Sequence, residues 1–583
     1  MKRLGLLYLH LLAFAPAIVL QAGQLTTDPQ DPTDYRSKTI YFLLTDRFNA
    51  HSPYTPYVDP EYPDATNAVN CFVDTCTDEV EFRKYWGGDI EGVIQKLDYL
   101  KNLGVSAVWL TPLMENVRAY ITKGYGTGYH GYWVQNYYRV NAHFGDWNNV
   151  GQLSQSLHEN GMRYMQDITL NHSNPNDNHV YGRLYESSES DNIFIRSYLN
   201  DFDSKNGKRY YKHWQGDARC RAAKDTADYY WTYWQLHHCL LADLSGYDQE
   251  NPDMADYLLG AGKTWIDHGV DDFRLDAVKF PFPDFIASFT RTMRDHLAAL
   301  DRPAPYIVGE WSHGGVGDAK SLEFANRYDY FGTNILDFQL SYALNQFIGG
   351  NHEADSQQLN AFDLDNLLHE RVLAFNDRDT FQGTFLDNHD QIRTMVRLRK
   401  LGLTDETEQE RRMDLGMVLL MTVRGVPIIY YGDEQYLAYY DDGQNTPIED
   451  VNSWGDDPWN RPGMKTWDEG TPAFKIIGAL ARLRSKSPAI SQGKYLTLYA
   501  DPDVLMFERV EGQDVAVIAV NRGSDKTFTW PGRIDLKPGY YKGLLQAAGP
   551  ANKGNYLAVG SHGWRVHLNA LSSLVLHPNA GAE

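Results

Sequence analysis

The stretch Asp271-Asp272-Phe273-Arg274-Leu275-Asp276-Ala277-Val278-Lys279-Phe280 packs two cations and three carboxylates into ten positions. Phe273, Leu275 and Ala277 alternate with Arg274, Asp276 and Val278, the period-2 pattern of a β-strand. Taken alone, it could be a structural ion pair at a barrel rim, because such pairs are weak evidence of chemistry. Three other apolar runs end in the same way. Arg163–Leu170 carries Asp167 and leads into Asn171-His172, Tyr306–Val308 into Gly309-Glu310-Trp311, and Thr384–Leu386 into Asp387-Asn388-His389-Asp390. Buried charge needs a reason. Four strand ends delivering carboxylate, His or Asn to one rim point to a carboxylate-based site.

Asp276, Glu310 and Asp390 stand out among these groups. Glycoside hydrolysis needs one carboxylate as nucleophile or base and one protonated carboxyl as acid. A third anion could raise the acid's pKa and bind sugar hydroxyls. Arg274 would keep Asp276 ionised. No Gly-rich phosphate loop or Ser–His–Asp elbow competes, and Gly124-Tyr125-Gly126-Thr127-Gly128 lacks the Lys-Ser/Thr of a nucleotide loop.

The elements that must position these groups repeat as helix, glycine and apolar strand. Asp89–Leu103 has helical spacing, Gly104 stops it and Val105–Leu110 reads as a strand. The unit returns at Leu153–Leu170, Met254–Val278, Phe285–Val308 and Arg411–Tyr431, after a first strand at Thr39–Leu44. This alternation predicts an α/β fold, a (β/α)8 TIM barrel, whose active site lies at the C-terminal ends of the strands. Residues 36–172 and 245–488 are expected to form the two parts of the catalytic barrel. Residues 173–244 break the rhythm and read as an inserted B domain. Residues 489–583 read as a C-terminal all-β domain, a β-sandwich, with strands at Lys494–Tyr499, Val504–Glu508, Val515–Asn521, Thr527–Trp530 and Ser572–Leu576.

Composition narrows the partners. The net charge of −22 over 583 residues argues against nucleic acid or an acidic membrane face. The 39 Tyr and 14 Trp suit stacking on sugar rings, although aromatics are also core residues. Residues 1–22 read as a signal peptide: Lys2 and Arg3, an apolar run from Leu4 to Leu20, and small residues Ala15, Ala17 and Ala22. The expected location is outside the cytoplasm, extracellular or periplasmic, with no membrane contact after cleavage. Cys71, Cys76, Cys220 and Cys239 fit an oxidising compartment. Cys71–Cys76 and Cys220–Cys239 is the simplest connectivity, which spacing does not prove.

Taken together, the motifs resemble those of the α-amylase family, glycoside hydrolase family 13, from about Ile40 to Leu576. Asp167–His172, Phe273–Lys279, Val308–Trp311 and Phe385–Asp390 resemble its four conserved blocks in order. Leu241-Ala242-Asp243-Leu244 resembles the end of its B domain, and Gly425–Glu434 its last barrel strand. The resemblance implies a retaining double displacement with Asp276 as nucleophile, Glu310 as acid and base, and Asp390 on the hydroxyls of the −1 sugar. It implies that Arg274, His172, His389 and Lys279 line the substrate site, with Tyr132 as an aromatic platform and Asp457 and Arg461 at a more distant sugar. It also implies Ca2+ between the barrel and domain B, with Asn171, Asp243 and the Phe280 carbonyl as oxygen ligands. The implied partner is an α-glucan, starch or maltooligosaccharides, met by a monomer.

Within the family, Cys71–Cys76 before Trp86-Gly87-Gly88-Asp89, and Tyr431–Tyr436, resemble cyclodextrin glucanotransferases and related bacterial amylases. Three positions depart from the transferases. Phe280 replaces a His after the block-two Lys, Cys239 replaces an aromatic four residues before Asp243, and Ser312 replaces an aromatic after Glu-Trp. These losses, and the single β domain after the barrel, lead to the expectation of a secreted α-amylase that hydrolyses α-1,4-glucosidic bonds. A glucanotransferase, cyclodextrin-forming or maltogenic, is the alternative. A non-catalytic carbohydrate-binding protein is the third reading, against which Asp276, Glu310 and Asp390 stand.

Overall fold

The computed structural model describes residues 34–51, 57–66, 79–118, 126–175, 210–212, 220, 233–241, 244–312, 332–350, 359–438, 458–532, 534–537, 539–542, 545–546, 554–561 and 563–577. Residues 1–22, expected to be a signal peptide, and Cys71, Cys76, Asp243 and Asp457 lie outside them. Among the described residues no helix is long and apolar enough to cross a membrane.

Eight parallel strands form the barrel: β1 (Ile40–Leu43), β2 (Ala107–Leu110), β3 (Arg163–Thr169), β4 (Asp272–Asp276), β5 (Ile307–Gly309), β6 (Asn334–Ile335), β7 (Gly383–Thr384) and β8 (Val426–Tyr430). Neighbours pair in sequence order, β8 returns to β1, and a bridge between Leu336 and Gly383 links the β6 and β7 edges. Strands buried on both faces read as apolar runs rather than alternations. That is how Ile40-Tyr41-Phe42-Leu43 and Val426-Pro427-Ile428-Ile429-Tyr430 read, and every residue in both is buried.

Helices cover the barrel where caps fix their starts. Asp146 accepts from the backbone N–H groups of Asn148 and Asn149 and, with Asn149, closes a capping box on Trp147–Glu159. Asn251 and Thr471 cap Pro252–Asp267 and Pro472–Arg484, each with Pro as the first helical residue. The helix expected over Asp89–Leu103 is two helices, Ile90–Ile94 and Leu97–Leu103, because Lys96 leaves helical geometry at φ −110° and ψ 9°. Gly104 ends the second in the left-handed region, where a Cβ would meet the Ala481 Cβ at 2.8 Å.

Two strands, His172–Pro175 and Leu244–Gly246, pair antiparallel and clasp the base of the inserted segment after β3. After the barrel, β9 (Lys494–Ala500), β10 (Val504–Glu511), β11 (Asp514–Asn521), β12 (Lys526–Trp530), β13 (Gly539–Lys542), β14 (Leu545–Gln546), β15 (Tyr556–Gly560), β16 (Gly563–Leu568) and β17 (Ser572–Leu576) make two sheets. Their orders are β9-β10-β11-β17-β14 and β12-β16-β15-β13. The period of two along β10 gives both its faces a core. Val504 and Met506 join the sandwich interior, while Leu505 and Phe507 join the barrel's apolar cluster.

Candidate active site

Register decides which side chains meet. Asp167 on β3 pairs with Arg274 on β4, Thr169 with Asp276, and Leu275 with Gly309 on β5. Glu310 is therefore the first residue beyond β5, level with the end of β4. Its backbone is held there, because Glu310 N–H donates to Leu275 O at 2.9 Å and Val278 N–H to Glu310 O at 3.0 Å.

The opening stretch carries charge at both ends of β4, and the two ends differ. At the N-terminal end Asp272 accepts two bonds from Arg163, at 2.7 and 2.8 Å, and one from the Tyr35 hydroxyl. Asp271 there meets Arg302 at 2.8 Å and His158 at 2.8 Å. These pairs tie strands and helices together. At the C-terminal end Arg274 Nη1 donates to both Asp167 oxygens at 3.0 Å and to Asp276 Oδ1 at 2.8 Å. Its Nη2 donates to Glu310 Oε2 at 2.7 Å. One buried guanidinium thus gathers three carboxylates from three strands.

That excess of negative charge in a dry pocket pushes protons on. Burial raises Asp276 to about 7; Arg274 opposes the rise, and Asp167 and Asp390 add to it. Burial also raises Glu310, with Arg274 opposing and the charge of Asp276 reinforcing. Asp167 rises to about 6 for the same first reason. The group titrates as a unit that holds a proton near neutrality. Exposure grades across it: the side chains of Asp276, Glu310 and Asp390 are 9%, 15% and 41% exposed. Ala277, next to Asp276, sits at φ +47°, a strained position for a residue with a Cβ.

The other expected site residues gather around this cluster. Tyr132 donates from its hydroxyl to Asp167 Oδ2 at 2.8 Å, and its ring stacks on His389 with centroids 4.8 Å apart. His172 Nε2 lies 3.9 Å from Asp276 Oδ2. Burial holds His172 down to about 3 and His389 well below the usual range, so both imidazoles are neutral at pH 7. His389 Nε2 is 3.2 Å from Asp390 Oδ2. Arg461 donates to Asp390 Oδ1 at 3.1 Å and to His389 O at 2.9 Å, which brings it to the third carboxylate. Its expected partner Asp457 lies outside the described residues. Lys279 Nζ donates to Ser312 O at 3.3 Å, linking the ends of β4 and β5 on the open side.

Sequence reasoning gave no separate role to several residues that shape the site or the fold beneath it. Asp167 is shared by Arg274, Tyr132 and Trp109 Nε1, the last at 3.0 Å. Its signal was present as an acid inside a buried strand. Asn460 fixes the backbone beneath His389 by donating to His389 O at 2.5 Å and Gln391 O at 3.1 Å. Asp387 belongs to the fold: it accepts from the Thr394 N–H at the start of Thr394–Lys400, at 2.5 Å.

The expected calcium ligands are placed differently from a metal site. Asn171 Oδ1 accepts from Lys212 Nζ at 2.9 Å, and Phe280 O accepts from the same Nζ at 2.7 Å. His237 Nδ1 also lies 3.1 Å from Phe280 O. Asp243 lies outside the described residues. Two of the three expected oxygens are thus satisfied by a buried lysine, whose pKa burial lowers to about 7; its amine fills the space between them, and its protonated form would repel a dication. The described residues do not fit calcium at this position. Among the described residues no group of three His, Cys, Asp or Glu could hold a metal.

Residues 45–475 match the α-amylase catalytic domain and residues 499–579 the α-amylase C-terminal all-beta domain. The chain belongs to the α-amylase family. It is a family 13 enzyme acting on α-1,4-glucans. It is 34% identical over 540 residues to a cyclomaltodextrin glucanotransferase of Klebsiella oxytoca, covering 89% of this chain and 76% of that one. Among solved structures it resembles a cyclomaltodextrin glucanotransferase with a three-domain ABC distribution, at TM-score 0.72 and 28% identity, over 93% of this chain and 99% of that one. It also resembles an Anoxybacillus α-amylase, at TM-score 0.68 and 25% identity, over 94% and 99% of the two chains.

Proposed function

We propose that this α-amylase-family enzyme breaks α-1,4-glucosidic bonds with retention, through a glycosyl-enzyme on Asp276, and passes the glycosyl group to a second glucan chain. The observation that carries the bond-breaking half is the single Arg274 guanidinium holding Asp276 at 2.8 Å and Glu310 at 2.7 Å. One guanidinium holding both carboxyls keeps them close together, the arrangement of a retaining pair rather than of an inverting pair with a water between its carboxyls. Asp276 attacks the anomeric carbon while Glu310 gives its proton to the departing glycosidic oxygen. Glu310, now a carboxylate, takes a proton from the incoming hydroxyl, which displaces Asp276. Asp390, held by Arg461, accepts hydrogen bonds from hydroxyls of the −1 sugar, and Tyr132 supports that sugar's apolar face. His172 and His389 are neutral and hydrogen-bond rather than carry charge. Export by the N-terminal leader would give the enzyme access to starch outside the cytoplasm.

Transfer is favoured by the similarity to cyclomaltodextrin glucanotransferases along most of the chain. A single β domain after the barrel does not oppose it, because a transferase described as three-domain matches over 99% of its length. Hydrolysis is the second reading, and a specific observation favours it. At the position expected to carry an aromatic, Cys239 is buried in a disulfide with Cys220, so no ring is available there to stack an acceptor sugar. Phe280 and Ser312 likewise lack the groups expected to hold one.

Incubation with soluble starch, with products resolved by chromatography and the first-formed anomer read by proton NMR, tests the proposal. Cyclodextrins or disproportionated oligosaccharides in the α configuration are expected. Linear products alone, with no transfer to added glucose or maltose, would replace transfer by hydrolysis. A β-anomer formed first would overturn retention.

A further inference from the structure

We propose that the Lys212 side chain stands in for calcium between the barrel and the inserted segment and positions the catalytic rim. Its Nζ donates to Asn171 Oδ1 just beyond β3 and to Phe280 O just beyond β4. Those are two of the oxygens that a bound calcium would need. Lys212 is 3% exposed, and its backbone is pinned, since its N–H donates to Gly246 O at 2.9 Å in the clasp that closes the insertion. The amine is therefore delivered by the insertion itself and bridges the ends of two barrel strands. From Asn171 the contact runs on: its Nδ2 is 3.3 Å from His172 Nδ1, and His172 Nε2 is 3.9 Å from Asp276 Oδ2. From Phe280 it reaches the loop that carries Lys279. Lys212 is thus a positioning residue, touching neither reacting carboxylate yet setting the geometry of both flanks. An ammonium and a neutral amine can each donate to both oxygens, so the bridge needs no exchangeable ion.

Two experiments on the full chain test this. The first compares wild-type enzyme after exhaustive chelation with enzyme given calcium chloride, using elemental mass spectrometry, melting temperature and turnover of starch. Melting temperatures within about 1 °C and kcat/KM within about twofold are expected. A calcium retained at one per chain, lost in Asn171→Ala, whose removal lowers both melting temperature and turnover, would overturn the proposal. The second replaces Lys212 by Met, which keeps the stem and removes the donors. The expected result is a fall of about tenfold in kcat with KM within about twofold, together with a lower melting temperature. Wild-type kcat and melting temperature in Lys212→Met would also overturn it. The activity readings rest on the α-glucan function proposed above. The metal content and melting temperature do not, so failure of one is distinguishable from failure of the other.

Discussion

Asp276→Asn should make the enzyme inactive and, at neutral to alkaline pH, more stable. The reason lies in the crowd around Arg274, where Asp167, Asp276 and Glu310 share one guanidinium. Asp276 is raised to about 7, mainly by burial. An unfolded aspartate titrates near 3.9. A carboxyl raised on folding contributes stability that is present below its unfolded pKa and lost as pH rises through its folded pKa. The native state therefore carries a cost that builds from about pH 4 and is complete above about pH 7, and a neutral amide removes it. At about 1.4 kcal/mol per unit, the shift of about three units sets a ceiling near 4 kcal/mol. Between about pH 5 and about pH 8 the advantage of Asn over Asp should grow by about 3 kcal/mol. Melting curves of both proteins at the two pH values measure it, and a rise is expected at both, larger by a few degrees at the higher pH. In parallel, loss of the nucleophile should lower kcat by about 10⁴-fold or more, about 5.5 kcal/mol in the barrier. A variant equally destabilised at both pH values would refute the argument that Asp276 is held under electrostatic strain.

Further outcomes follow from the same geometry. Replacing both Cys220 and Cys239 by Ser opens a loop with a sequence separation of 19, which should cost about 3 kcal/mol in the unit that unfolds with it; thermal melts with and without reductant check it. Phe280→His restores a polar group on the acceptor side and should raise the share of transferred product about twofold over hydrolysis, read from product ratios with maltose as acceptor. Tyr132→Phe removes the bond to Asp167 at 2.8 Å but keeps the ring, and should lower kcat about tenfold while KM changes little.

Much of this was legible in the residues, for a physical reason in each case. The strands β1, β2 and β8 are buried on both faces, so their apolar runs stand out; β3 and β4 mix apolar with polar residues and are legible from the helix and glycine before each, and β5 follows a long amphipathic helix. The strands β6 and β7 are two residues each, too short to show any period. The helices Phe338–Gly349 and Ala361–Ala374 between them went unread, the first because ten of its twelve residues are buried and its polar face is nearly lost. In the site, acids following apolar runs pointed to Asp276, Glu310 and Asp390. The same rule could not separate Asp272, which braces the barrel base, from Asp276 four residues later; only the strand direction does. Lys212 was illegible, because a lysine in an irregular polar insertion carries no periodic signal. Its partners are set by tertiary pairing of the insertion with Leu244–Gly246.

The central claim is a glycosyl group carried on Asp276. The measurement closest to it uses Glu310→Gln with an α-glucosyl fluoride, whose leaving group needs no acid. The first half-reaction should proceed and the second stall for want of a base. Digestion and mass spectrometry should find one added hexose on the peptide containing Phe273–Lys279, at Asp276. A fully active variant, or a stalled enzyme whose hexose sits on any other residue, would contradict the account.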